Sequence, residues 1–269
     1  MLRFETFHTQ NEFDLNAILD DDVTGFVYLN ILTPSHIAMF KNAIVKLRDT
    51  FSHDLNDGNG FSLPGMFGQL HKTQPIEVVD EYFNLITPFT QLVNQTTNTD
   101  IGDWLKSTLQ TYFKPYPIEI LEGFLPYSFR IVWPKRGGLF LHKDGDLLPF
   151  IHDTVSERIL QKIVPETMMS WFFTIQSPEM GGQLWVADKK YSNHKKEGQF
   201  RLKNELGHVI TEAEMEHIEV STPTGSLLLF KGGAYWHKVL PPNMDSIDRI
   251  TLGGFMAKAK GQEKIYYWS

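Results

Sequence analysis

Apolar residues change their spacing along the chain near Pro117, and the change divides a front that reads as helices from a back that reads as strands. In the front, Thr24 to Leu32 carries β-branched and aromatic residues before a cap and predicts a strand. Thr33-Pro34-Ser35 then opens a helix over about His36 to Phe51, where Ile37, Phe40, Ile44, Val45 and Leu47 recur at near-helical spacing. Glu77 to Gln95 and Asp100 to Phe113 place apolar residues three and four apart and predict two more helices, packing elements behind a sheet. Asp54 to Gly65, rich in Gly, Asp and Asn, predicts an irregular loop.

The back alternates or runs apolar between Gly and Pro turns. Strands are predicted in Ile118 to Gly123, Ser128 to Trp133, Gly138 to Leu141, Ser170 to Gln176, Gln183 to Ala187, Gly225 to Lys231 and Arg249 to Ala257. One helical insertion, Thr154 to Ile163, interrupts them. Short strands at this rhythm predict a mainly β fold with flanking helices, a sandwich or barrel of the jelly-roll kind. No repeat or low-complexity linker divides the chain, so one domain is expected over residues 1–269, helical to about residue 115 and β from about residue 116.

Composition narrows the function classes. A formal charge of -7 without a long Lys/Arg run disfavours a nucleic-acid partner, which needs a basic face for phosphates. The start, Met1-Leu2-Arg3-Phe4-Glu5, lacks the regions of a signal peptide, and no apolar stretch is long enough to cross a bilayer. With no Cys there are no disulfides, thiolate ligands or nucleophilic thiols. These features fit a cytoplasmic enzyme with no membrane partner.

The chemistry concentrates in His142-Lys143-Asp144, with His237 and Arg249 far downstream. Two imidazoles and one carboxylate form the facial set that suits non-haem Fe(II) and leaves three positions open for an oxidisable cosubstrate and dioxygen. The spacing alone is weak, since 10 His and 32 Asp plus Glu in 269 residues should give roughly one His-x-Asp/Glu match by chance. A second match, His217/Glu219, serves as a control: it ends the acidic segment Thr211 to Glu219 and runs into a Ser-Thr-Pro-Thr-Gly turn, as solvent-facing residues do. His142 instead follows the apolar run Gly138 to Leu141 and opens into a loop at Gly145, where metal sites are commonly built. In an extended strand His142 and Asp144 face the same way. Asp146 and the pair His152-Asp153 have less suitable spacing. Arg130, Trp133, Phe173 and Trp185 are expected on the sheet, where any of them could line the pocket, with the aromatics expected in the core.

Four features in order, His142-Lys143-Asp144, the turn Ser177 to Trp185, His237 and Arg249-Ile250-Thr251, resemble the Fe(II)/2-oxoglutarate-dependent oxygenases. That resemblance implies a double-stranded β-helix (a cupin-like jelly roll), with His142, Asp144 and His237 as iron ligands. It also implies that Arg249, 12 residues past His237, grips the far carboxylate of 2-oxoglutarate. A guanidinium fork suits that task, and Thr251, two residues on, adds a hydroxyl on the same strand face. The Gly181-Gly182 pair predicts a positive-φ hairpin. Gly25 to Phe51 looks like the entry segment of phytanoyl-type members, and the stretch from Gly232 to Ser269 is similar to the tail of the carrier-independent alkaloid halogenases.

Those halogenases carry Gly where this chain keeps Asp144, and their vacant position takes chloride. The retained carboxylate implies hydroxylation of an unactivated C–H bond in a small molecule, amino-acid-derived or alkaloid-like, with dioxygen and 2-oxoglutarate consumed. Rival readings are a halogenase, a desaturase or cyclase on the same scaffold, and a non-catalytic jelly-roll metal-binding module.

Overall fold

The computed structural model describes residues 2–8, 14–55, 59–64, 70, 72–134, 138–196 and 199–269. Strand β1 (Phe4–Phe7) lies parallel to β2 (Gly25–Tyr28), with helix α1 (Leu15–Leu19) between them in sequence. Helix α2 (Pro34–Phe51) starts where the Thr33-Pro34 signal placed it: the His36 N–H donates to the Thr33 hydroxyl at 3.2 Å, and proline fills the first turn, where no intrahelical N–H bond is needed. Strands β3 (His53–Leu55) and β4 (Gly60–Leu63) form an antiparallel hairpin inside the stretch expected to be a loop; residues 56–58 and 65 lie outside the described residues. Gly60 explains the difference. It reads as a turn residue, but a Cβ there would overlap the Ile131 carbonyl, so the glycine admits close backbone approach in a strand.

Helices α3 (Ile76–Thr97) and α4 (Ile101–Tyr112) match the expected spans within two residues. Then come β5 (Ile118–Ile120), β6 (Ser128–Val132), the short helix α5 (Asp144–Leu147) and α6 (Asp153–Leu160). The remaining strands are β7 (Met169–Gln176), β8 (Leu184–Ala187), β9 (Ser192–Lys196), β10 (Gln199–Lys203), β11 (Val209–Ile210), β12 (His217–Val220), β13 (Leu227–Phe230), β14 (Trp236–Val239), β15 (Arg249–Lys258) and β16 (Ile265–Trp268).

The large sheet runs β1-β2-β13-β7-β15-β6-β4-β3, with β16 on β15 and β5 on β16; a second sheet runs β12-β8-β14 and a third β11-β10-β9. This is the expected jelly-roll class, with sheets that face one another rather than closing into a barrel. The front is not helical alone, since β1 to β4 all enter the large sheet. The predicted Gly181-Gly182 hairpin is also corrected. Both glycines have positive φ (78° and 72°), but β7 and β8 belong to different sheets, so the turn crosses between layers.

Both faces of the large sheet are covered, which is why its strands read as nearly continuous apolar runs. On β7, Trp171, Phe173 and Ile175 join the cluster shared with helical Phe40, Leu105 and Leu109, while Phe172 joins Leu184, Val186, Leu228 and Val239 between the sheets. Phe40 is fully buried, with ring centroids 5.5 Å from Trp104 and 6.0 Å from Phe129. Phe40→Ala is therefore expected to cost about 3–5 kcal/mol of stability, measured by urea denaturation; a loss below about 1 kcal/mol would mean the helix layer is not part of this core. Among the described residues, no helix is long and apolar enough to cross a membrane.

Candidate active site

His142 and His237 meet through a backbone bridge rather than a regular ladder. Each donates its N–H to the other's carbonyl, at 3.0 and 2.8 Å. The expected strand over Gly138 to Leu141 does not form; Leu139 lines the cavity and Phe140 is half exposed. The same-face argument survives in a smaller form. Lys143 is extended (φ -116°, ψ 135°), so the side chains on either side of it turn the same way, and Asp144 then starts α5.

Three glycines bring the two ligand segments together. A Cβ on Gly145 would press on the Gly233 carbonyl, one on Gly233 would press on Met168, and one on Gly232 would overlap Ser170 and Asp144. The Asp144 N–H donates to the Gly232 carbonyl at 3.0 Å, and the Ser170 hydroxyl donates to Asp144 Oδ2. Ser170 was not anticipated; its signal was a buried hydroxyl in the largely apolar run of β7. Gly232→Ala is expected to weaken iron binding by roughly ten- to a hundred-fold by displacing Asp144 from Ser170, as read by metal titration, and unchanged affinity would remove Gly232 from this account.

The geometry suits a divalent metal. Asp144 is buried, His237 nearly so, and the His142 side chain is 16% exposed. Asp144 Oδ1 lies 3.3 Å from His142 Nε2, and Oδ2 lies 3.6 Å from His237 Nε2. First-row divalent metals sit about 2.0–2.2 Å from such donors, so two cis donors are roughly 3 Å apart. Both rings place Nδ1 against a backbone carbonyl, His142 on Phe140 at 2.7 Å and His237 on Tyr235 at 3.0 Å. A neutral ring then donates from Nδ1 and turns the Nε2 lone pair inward, the orientation that ligating histidines adopt. Two imidazole nitrogens and a carboxylate oxygen converge within 4.8 Å of one another, a set that could hold a metal ion.

Electrostatics agree. Burial works against the Asp144 carboxylate, but His237 and His142 outweigh it and hold the group well below the usual carboxylate range. Burial, with the neighbouring His237, pushes His142 down and favours the neutral, ligating ring. The control pair separates cleanly: His217 and Glu219 are exposed on β12, with His217 stacked on Trp185 at 4.7 Å. Asp146 is also exposed.

Arg249 opens β15, beside a register shift between Ile250 and Thr251. Both Arg249 and Thr251 are buried and line the cavity that contains the His-Asp-His cluster, so the shared strand face is as expected. No ion pair joins Arg249 to Asp245 or Asp248. Its guanidinium lies 4.8 Å over the Phe172 ring, and Nη2 is buried without a hydrogen-bond partner among the described residues. Burial and the Arg130 charge push Arg249 down to about 9, which leaves it cationic at neutral pH. The crossing turn shapes this end, since a Cβ on Gly182 would crowd both Pro178 and Arg249. Phe173 and Trp185 pack in cores, as expected of the aromatics, whereas Arg130 lines the cavity.

Comparison with known proteins adds the wider setting. A family model described as carrier-protein-independent halogenase WelO5 matches residues 2–269. No curated protein matches the chain in sequence. Among solved structures, the chain is similar to an N-substituted L-amino acid dioxygenase from Burkholderia ambifaria AMMD, at 17% identity and TM-score 0.59, covering 95% of this chain and 90% of that one. The same is true of that enzyme in complex with alpha-KG, at 16% identity, TM-score 0.54 and the same coverage. At such identities the likeness is one of fold.

Proposed function

The chain belongs to the carrier-protein-independent halogenase WelO5 family of Fe(II)- and 2-oxoglutarate-dependent oxygenases, and from that premise we propose that it is a hydroxylase of an unactivated C–H bond. Its substrate is a free small molecule, amino-acid-derived or alkaloid-like. The observation that carries this reading is Asp144, a buried carboxylate held by Ser170 against two imidazoles. In the halogenases that the tail resembles, glycine leaves that position to chloride.

His142, Asp144 and His237 would hold the iron, and Arg249 with Thr251 the far carboxylate of 2-oxoglutarate. Bound there, the metal and its cosubstrate supply the oxidising chemistry, with dioxygen consumed and 2-oxoglutarate released as succinate and carbon dioxide. The protein's own residues position and shield. The Nδ1 bonds to Phe140 and Tyr235 fix both rings, and Ser170 fixes the carboxylate plane. Leu139, Phe172, Leu184, Phe230 and Val239 wall the cavity with apolar surface that excludes water from the reacting end. Asp144 occupies the halide's place, so the substrate receives oxygen.

The test is substrate-dependent succinate formation from 2-oxoglutarate across a metabolite pool, with chloride present and labelled dioxygen supplied. A product that gains one labelled oxygen is expected. A dominant chlorinated product would overturn the role given to Asp144, a product that has only lost two hydrogens would assign a desaturase or cyclase, and iron binding with no succinate would assign a non-catalytic module.

A further inference from the structure

Arg130 is the charged group that the site described so far does not use. It sits in the middle of β6, directly across from Thr251 of β15, so its side chain shares the inner face with Thr251 and Arg249. It lines the same cavity as the His-Asp-His cluster. Its Nε and Nη2 are shielded from solvent and have no hydrogen-bond partner among the described residues, and its guanidinium rests 5.4 Å from the Phe255 ring centroid.

Two cations with unsatisfied N–H groups line one small cavity, and among the described residues no ion pair neutralises either. Asp144 is no partner for Arg130: no ion pair joins them, and both carboxylate oxygens are taken up by the imidazoles and Ser170. Buried guanidiniums are retained at such a cost where an anion completes them. The positions are ordered. The Arg130 guanidinium rests at Phe255, whose strand partner Ser170 bonds Asp144, whereas the Arg249 guanidinium lies over Phe172 beside the Gly182 turn. Arg130 thus lies toward the metal-ligand end of the cavity and Arg249 toward the turn end.

A dicarboxylate reaching from the metal cluster to Arg249 would lie with its near carboxylate on the Arg130 side of the cavity. We infer that Arg130 is a second carboxylate-binding residue, donating to the metal-proximal carboxylate of 2-oxoglutarate while Arg249 holds the distal one. This rests on the 2-oxoglutarate reading above. It divides the recognition of one dianion between β6 and β15, two strands paired at Arg130 and Thr251.

The experiment measures equilibrium binding to the Mn(II)-loaded protein by calorimetry, without turnover. Three ligands are compared: 2-oxoglutarate, 2-oxopentanoate, which lacks the distal carboxylate, and 4-oxopentanoate, which lacks the proximal one. Arg130→Gln is expected to weaken 2-oxoglutarate and 2-oxopentanoate by roughly ten- to a hundred-fold each and to leave 4-oxopentanoate unchanged. Arg249→Gln should show the converse, with 4-oxopentanoate weakened and 2-oxopentanoate spared. Arg130→Lys keeps the charge but not the fork, and should fall between wild type and Arg130→Gln. Equal weakening of all three ligands by both Arg130 variants would make the residue structural and overturn the inference, as would unchanged binding of 2-oxopentanoate. Wild-type protein that binds none of the three would instead defeat the 2-oxoglutarate reading on which the inference rests.

Discussion

Asp144→Ala is expected to lower both iron affinity and 2-oxoglutarate turnover by roughly a thousandfold or more, about 4 kcal/mol. The carboxylate is the cluster's sole anionic donor, with the His142 and His237 Nε2 atoms 3.3 and 3.6 Å from its oxygens. Without it, two neutral imidazoles remain, a set too weak and too open to fix a facial geometry. The effect on the metal-free fold should be far smaller. Removing a buried carboxylate also removes its desolvation penalty, and the backbone bond from residue 144 to the Gly232 carbonyl survives the substitution. The measurement is iron stoichiometry beside a thermal melt: iron lost with the melting temperature nearly kept. A variant that still binds one iron tightly and still forms succinate would sink the ligand assignment. Asp144→Gly asks the sharper question about product, because it removes the side chain and returns the position to the halogenase pattern. Hydroxylation should fall, and turnover that persists in chloride should deliver chlorine in place of oxygen.

What could be read from the chain followed from the strength of each periodic signal. Helices α2, α3 and α4 were legible because eighteen, twenty-two and twelve residues repeat an apolar stripe, and α2 carries its cap in the sequence. Strands β7 and β15 were legible as largely apolar, β-branched and aromatic runs. Strands β9 and β11 were not, since Ser-Asn-His-Lys-Lys has no apolar residue and β11 is only two residues long, whereas the alternation in Gln-Phe-Arg-Leu-Lys of β10 does carry a strand signal. Gly138 to Leu141 misled for the opposite reason: an apolar run looks like a strand, but this one forms none, and its Leu139 lines the cavity. At the site, residue types with metal-binding chemistry announced themselves, whereas supporting residues did not. Ser170 and Arg130 are polar residues inside largely apolar strands that also hold Thr174 and Ser128, and a buried polar group in such a run has to find a partner or a purpose. That test would have picked out both.

Replacing Arg249 by Met should have two opposite effects, and their pairing is the diagnostic. The KM for 2-oxoglutarate is expected to rise by roughly a hundredfold or more, since a charge-assisted contact to a carboxylate is lost from a buried site. The ligand-free protein, by contrast, is expected to become more stable. Arg249 is buried with Nη2 unpartnered, and both burial and the Arg130 charge push it down to about 9, so at neutral pH its charged form is carried at a cost. A methionine of similar reach would fill the space over Phe172 and end the repulsion with Arg130. Thermal melts with and without 2-oxoglutarate would read both effects. Wild type should melt lower when free and gain markedly from the ligand, because binding to the native state alone stabilises it. Arg249→Met should melt higher when free and gain little. A variant that is less stable when free and still stabilised by 2-oxoglutarate would show Arg249 to be a structural cation, and the anion would then have to be held elsewhere in the cavity. The expected result instead describes a site whose two arginines are kept against the interest of the empty fold, because the fold is completed only when a dianion lies between them.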